Sequence, residues 1–248
     1  MNAPYYRHNY TVEDNEVDCF GNLKLSMVLF YAQDVAGLHC IELGTDYDSM
    51  AAKGLFWAVI RHKIQINRLP KRGETITVET WPMPTTRVAY PRATVAFDAE
   101  GNPLFRIISL WVIMDIQNRT MILPGKSGVE VLGTVRGGEL AVPGSLVPKE
   151  LSHSQIRTVR YSDLDRNGHM NNCRYAEWMT DLLPSAFHKA HPVTEFTLCY
   201  LSEAREGDTL NLSWQVMEDG AIRVEAIRPD GASSTGHNRV FAAQIQCK

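Results

Sequence analysis

The feature that most constrains this chain is a repeat within it. The segment Asp18-Cys19-Phe20-Gly21-Asn22-Leu23 aligns with Asp165-Arg166-Asn167-Gly168-His169-Met170 at an offset of 147 residues. Continued without a gap, Tyr31 meets Trp178 and Asp34 meets Asp181. Further on, Arg72-Gly73-Glu74-Thr75-Ile76 aligns with Glu206-Gly207-Asp208-Thr209-Leu210 at an offset of 134. A third echo sets Asp98…Gly101 beside Asp230-Gly231, with the last glycines 130 apart. Three echoes in one order point to two copies of one domain, the N-terminal copy having the longer connections. At 248 residues the chain has room for two units of about 100–125 residues, each with its own core.

The copies are read as residues 1–117 and 152–248, joined by a linker over 118–151. That linker holds six glycines and three prolines and shows no sustained period, so it is expected to drape over the surface, with one short strand near Val129–Leu132. In the first copy Arg7–Val12 reads as a strand, and Leu25, Leu29, Ala32 and Ala36 recur at helical spacing, giving a helix over 25–42 with Gly44 as its C-cap. A shorter helix is expected near Asp48–Lys53, then strands at 56–67, 74–81, 87–98 and 104–116. In the second copy a strand at 154–161 precedes a helix over 171–188, and strands follow at 195–203, 208–218, 221–228 and 236–246. One long helix followed by an antiparallel meander is an α+β pattern. No GxGxxG, P-loop or GxSxG is present, which disfavours dinucleotide, nucleotide and α/β-hydrolase readings.

Composition removes further classes. The net charge of −3 and the lack of any Lys/Arg block argue against a nucleic-acid partner. No run of about 18 apolar residues offers a membrane span, and the start MNAPYYRHNY has no apolar core of a secretory signal. The five cysteines are odd in number and form no C-x-x-C, so neither a disulfide framework nor a zinc site is expected, and the cytoplasm is the expected compartment. The eight histidines form no metal-ligand spacing; no metal and no cofactor are expected.

The chemistry-bearing cluster lies just before the second long helix, in Asp163-Leu164-Asp165-Arg166-Asn167-Gly168-His169-Met170-Asn171-Asn172. Asp165, Asn167 and His169 are two apart, and in an extended segment they would project to one side. An imidazole or carboxylate can activate water. Backbone N–H groups around Gly168, Met170 and Asn171 could hold an oxyanion at the helix start. The same residues are also ordinary turn and cap formers. The repeat separates these readings in part. The N-terminal counterpart has Asp18, Phe20 and Asn22, without the imidazole or the middle amide, and Leu69 stands where the C-terminal copy has Glu203. The imidazole and the second carboxylate, Glu203, occur in the C-terminal half only.

The string DLDRNGHMNNCRYAEWM resembles the acyl–acyl carrier protein thioesterases, whose motif is D-x-N-x-H followed by V/M-N-N and an aromatic-rich helix. The resemblance extends to GLFWAVIRHKIQINRLPKRGETITVETWP and to Tyr200–Glu203, and so spans essentially the whole chain. It implies a tandem hot-dog fold, each domain a long helix wrapped by an antiparallel sheet, with catalysis in the C-terminal copy. It implies hydrolysis of fatty acyl–carrier-protein thioesters, with Asp165, Asn167, His169 and Glu203 as the catalytic set. Where the plant pattern reads Y-x-x-E-C, this chain has Ala204 after Glu203, so a thiol there is not needed. Cys173 and Cys199 are expected to pack as small hydrophobes.

Three expectations follow from that resemblance. The N-terminal copy would hold the acyl chain, in a tunnel lined by Met27, Phe30, Tyr31, Leu38, Phe56, Trp57 and Trp111. An acidic carrier protein would meet a local basic patch drawn from Arg61, Lys63, Arg68, Lys71 and Arg72, or from Arg157 and Arg160. The chain would be a monomer, with the tandem copy as its internal partner, or a homodimer. Competing readings are an acyl-CoA thioesterase, a dehydratase of the same fold, and a non-catalytic acyl-binding module. Release of free fatty acid, on carrier-bound against CoA-bound chains, discriminates among them.

Overall fold

The structure, a computed structural model, describes residues 4–229 and 238–248. The chain divides into two compact units, Met1–Pro143 and Gly144–Lys248.

The N-terminal unit opens with β1 (Tyr6–Thr11), followed by α1 (Leu25–Leu43) and α2 (Tyr47–Ala51). Strands β2 (Leu55–Ile66), β3 (Thr75–Pro82), β4 (Tyr90–Phe97) and β5 (Pro103–Asp115) form an antiparallel sheet in the order β1-β3-β4-β5-β2, and the short β6 (Met121–Ile122) adds to β5. Helix α1 forms because Leu25, Val28, Leu29, Ala32, Val35, Ala36 and His39 fall on one stripe, and all are buried. It packs on β3 and β1. It ends at Gly44, whose left-handed backbone (φ 64°) lets its N–H return to Ile41 O at 3.2 Å.

The C-terminal unit repeats this plan. Strand β7 (His153–Thr158) precedes α3 (Asn172–Thr180) and α4 (Ser185–Ala190), and β8 (Val193–Tyr200), β9 (Thr209–Val216), β10 (Ile222–Ile227) and β11 (Arg239–Cys247) follow. Its sheet order, β7-β9-β10-β11-β8, matches that of the first unit strand for strand. Tyr175 on α3 meets Tyr200 on β8 and Phe241 on β11 edge-on, at 5.3 and 4.8 Å between centroids.

Two expectations are corrected. The single helix over 171–188 is two helices. Proline in a helix removes a hydrogen bond and its ring clashes with the carbonyl four residues back; for Pro184 that residue is Thr180, where α3 ends. The strand near Val129–Leu132 is absent. Val129 instead inserts into a core cluster with Met50, Leu55, Tyr90 and Ile113, so this part of the linker is structural. The third echo, at Asp230-Gly231, lies outside the described residues, as do the first two positions of the strand expected at 236–246.

The linker is tied to each unit by charge. Buried Glu79 on β3 accepts from Arg7 and, at 2.7 Å, from Arg136, whose guanidinium also lies over Tyr5 and Trp81. Next to it, Gly133 runs so close to Met83 and Pro84 that a Cβ there would sit 2.3 Å from Pro84 N. In the second unit, buried Glu225 pairs with Arg223 and Arg239, which donate to the carbonyls of Val147 and Leu146. Among the described residues no helix is long and apolar enough to cross a membrane.

Candidate active site

The two halves of the repeat share one turn, bond for bond. In the C-terminal unit Asp165 N–H donates to His169 O at 2.8 Å and Gly168 N–H to Asp165 O at 3.0 Å. The Asp165 Oδ1 accepts from the N–H groups of Asn167 (2.8 Å) and His169 (3.3 Å). In the N-terminal unit Asp18 N–H donates to Asn22 O at 2.8 Å and Gly21 N–H to Asp18 O at 3.0 Å. There Asp18 Oδ1 accepts from Phe20 (2.8 Å) and Asn22 (3.0 Å). Gly168 and Gly21 both take a positive φ, 73° and 77°, which favours glycine. The segment is therefore a tight turn rather than an extended stretch, which corrects the expectation that Asp165, Asn167 and His169 line one side by alternation.

A second strand of contacts fixes what faces the turn. Met170 N–H donates to Ala204 O at 2.8 Å, and Leu23 N–H to Pro70 O at 2.8 Å. His169 bridges to Arg205 as Asn22 bridges to Lys71. This register gives Glu203 the place that Leu69 has in the first unit. The His169 Nε2 lies 3.3 Å from Glu203 Oε2, with the imidazole 15% exposed and the carboxylate 40% exposed. Arg205 Nη2 is 3.9 Å from the same carboxylate oxygen. The imidazole is thus sheltered on one side while the carboxylate reaches solvent, an arrangement suited to moving a proton between bound water and the pair.

The other expected site residues fall into different places. Asn167 is exposed, and its Nδ2 lies 3.5 Å from Asp165 Oδ2. The three N–H groups expected to hold an oxyanion are engaged: that of Gly168 by Asp165 O, that of Met170 by Ala204 O, and that of Asn171 by Asp163 O. Asn171 caps α3, its Oδ1 accepting from Cys173 N–H at 2.9 Å. Cys173 is buried, and burial together with the charge of Glu177 pushes its thiol up to about 12. A thiol held so high favours its protonated form at neutral pH.

The seven residues expected to line a tunnel are spread over several surroundings. Phe30 and Leu38 line a depression of about 290 Å³ on the outer side of α1, with Gln33, Asp34, Gly37 and Ile41. Tyr31 stacks on Tyr10 and donates to Glu16 at 2.6 Å. Trp57 and Trp111 flank the cluster around Tyr90, Trp57 donating to Thr45 O at 2.9 Å. Phe56 lies under Arg119. Met27 is half-buried on α1.

Several of the basic candidates already have partners. Arg68 pairs with Glu74 at 2.7 Å, Arg72 with Asp14 at 3.2 Å, and Arg157 with Asp181 at 3.0 Å while lying over Trp178. Arg61 donates to Pro143 O at 3.3 Å, and Lys63 beside it on β2 is half-buried. Lys71 and Arg160 are exposed. Among the described residues no group of three or more His, Cys, Asp or Glu side chains is placed to hold a metal ion.

Comparison with known proteins covers both units. Residues 4–123 match the family model described as the acyl-ACP thioesterase N-terminal domain, and residues 147–242 match that of the C-terminal domain. A chloroplastic dodecanoyl-[acyl-carrier-protein] hydrolase of Cinnamomum camphora is 26% identical over 250 residues, covering 92% of this chain and 65% of its own. A chloroplastic palmitoyl-acyl carrier protein thioesterase of Gossypium hirsutum is 25% identical, covering 83% of this chain and 53% of its own. The chain thus spans between about half and two thirds of these relatives. An acyl-ACP thioesterase structure from Bacteroides thetaiotaomicron superposes with a TM-score of 0.88 at 22% identity, over 99% of this chain and 98% of that one, so the hot-dog fold is shared.

Proposed function

The chain belongs to the acyl-ACP thioesterase family, and on that premise we propose that it hydrolyses fatty acyl-ACP to free fatty acid and carrier protein, with His169 and Glu203 as the proton-transfer pair. One observation carries this reading. Two turns with the same hydrogen-bond frame present His169 and Glu203 3.3 Å apart in one unit, and Asn22 and Leu69 at the matching places in the other. A purely structural role would call for the same groups in both.

In the proposed reaction a water molecule near the pair attacks the thioester carbonyl. Its proton passes to the His169–Glu203 pair, the carbon–sulfur bond breaks, and the pair returns the proton to the departing sulfur. Acid and carrier thiol leave, and the pair is restored. Asn167 orients the water or the carbonyl from the solvent edge of the turn, and Asp165 holds the turn that carries both. The acyl chain is held by the N-terminal unit, and the carrier docks on an exposed basic side chain of the C-terminal unit such as Arg160. Five free thiols fit a reducing compartment, the cytoplasm.

A panel of acyl-ACP substrates of varied chain length, assayed for free fatty acid, tests this reading. Release from carrier-bound chains in preference to the CoA esters is expected. Release from CoA esters alone would move the assignment to an acyl-CoA thioesterase, and no release at all would leave a binding module.

A further inference from the structure

Arg228, just beyond β10, grips the corner that carries Glu203. Its guanidinium is 13% exposed. Nη1 donates to Ser202 Oγ at 2.8 Å, and Nη2 donates both to the main-chain carbonyl of Glu203 and, at 2.9 Å, to Asp208 Oδ2.

The N-terminal unit shows what this corner looks like without the chemistry. Asp98 N–H donates to Asn102 O at 3.0 Å just past the last β4–β5 pair, and Arg228 N–H donates to Asn238 O at 2.9 Å just past the last β10–β11 pair. Arg228 therefore occupies the place of Asp98. On the corner itself, the N–H groups of Asn67 and Arg68 both reach Leu104 O, and those of Leu201 and Ser202 both reach Val240 O. Ser202 thus occupies the place of Arg68, and Asp208 that of Glu74.

The charges have changed places. In the N-terminal unit the cation sits on the corner, where Arg68 reaches Glu74 at 2.7 Å and Asp98 at 4.0 Å. In the C-terminal unit the corner has a small hydroxyl, and the cation reaches back to it from the strand end. The corner acid has a guanidinium partner in both arrangements. The C-terminal arrangement adds a clamp on the residue 203 main chain.

We propose that Arg228 is a positioning residue for Glu203. The proposal rests on the reading of Glu203 and His169 as the catalytic pair. Residues 201–204 lie outside any strand or helix, and the Glu203 side chain is 40% exposed. Holding the Ser202 hydroxyl and the Glu203 main-chain carbonyl sets where that carboxylate starts from, and so keeps it beside the imidazole. A misplacement of about 1 Å in such a pair costs about 10²-fold in rate.

The test measures kcat, KM, the pH profile of kcat/KM and thermal unfolding on acyl-ACP for four variants: E203Q, R228K, R228Q and S202R/R228D. The last transplants the N-terminal arrangement, keeping a cation for Asp208 while removing the clamp. R228Q is expected to lose about 10–100-fold in kcat with KM nearly unchanged and with a displaced pH profile. R228K should recover part of the loss. S202R/R228D should unfold near the wild-type temperature yet be as slow as R228Q. A folded R228Q or S202R/R228D with wild-type kcat and pH profile would overturn the proposal. If R228Q fails to fold, the double variant decides, and failure of both to fold assigns Arg228 to the fold alone and overturns it equally. An inactive E203Q beside active Arg228 variants removes only this proposal. An active E203Q removes the catalytic pair and this proposal with it.

Discussion

The Nε2 of His169 lies 3.3 Å from Oε2 of Glu203, while the residues at the matching places of the N-terminal unit are Asn22 and Leu69. The duplication acts as an internal control. What both turns retain builds the frame: an aspartate two residues after a short 3-10 turn (Asp14–Glu16 in one unit, Tyr161–Asp163 in the other) and a glycine three residues beyond that aspartate. What only one turn has is the candidate chemistry.

Asp165 belongs to the frame by this criterion, because Asp18 makes the same two bonds to main-chain N–H groups without an imidazole beside it. Asp165→Ala and Asp18→Ala are each expected to cost about 1 kcal/mol of stability. Asp165→Asn keeps an oxygen in the Oδ1 position and should retain the fold and most of the turnover. Thermal unfolding measured beside turnover checks this. A loss in Asp165→Asn as deep as that of His169→Ala, in a folded protein, would put Asp165 in the chemistry.

The cysteine near the site is expected to be inert. With its thiol pushed up to about 12 by burial, Cys173 stays protonated at pH 8, whereas Cys19 is exposed. Iodoacetamide at pH 8 should label Cys19 and leave both Cys173 and the activity untouched, as read by peptide mass mapping and a rate assay. Inactivation that tracks labelling of Cys173 would restore a thiol mechanism.

His62 makes a separate, pH-dependent contribution to stability. It is buried on β2, with Nδ1 2.8 Å from Ser109 Oγ, and burial holds it down to about 3. The folded protein keeps it neutral, while the unfolded chain takes up a proton below about pH 6.5. Its contribution is therefore complete above about pH 6.5 and falls by about 1.4 kcal/mol per unit as pH drops towards 3. Denaturant unfolding at pH 7, 6 and 5 should show the wild-type advantage over His62→Gln shrinking at each step. An advantage that stays constant would mean that His62 titrates alike in both states.

Much of this architecture is legible in the residues. The order of elements is legible because alternation and Gly turns recur in the same sequence in both halves, but the sheet is not the simple meander expected: β2 and β8 pair with β5 and β11 rather than with the strands that follow them. The helix over 171–188 misled because Leu182 and Leu183 continue the apolar side of α3, while the effect of Pro184 acts four residues upstream, at Thr180. Val129 was hidden among glycines and prolines, since a single core contact leaves no periodic trace. His169 and Glu203 stood out because the repeat aligns them with Asn22 and Leu69. Arg228 did not. It comes from the end of a different strand, 25 residues beyond Glu203, and only the sheet register shows that it replaces Asp98. The third echo carries that signal at its 130-residue offset, which pairs Asp98 with Arg228, whereas matching aspartate to aspartate pairs Asp98 with Asp230.

The central claim is that one half of the duplicated frame carries the chemistry through a paired imidazole and carboxylate. The most direct measurement is the single-turnover rate of fatty-acid release from acyl-ACP by His169→Ala and Glu203→Gln, with unfolding temperatures recorded for each. Both variants should fold as the wild type does and lose about 10²–10⁴-fold in rate. A folded variant of either residue that releases fatty acid at the wild-type rate would contradict the account.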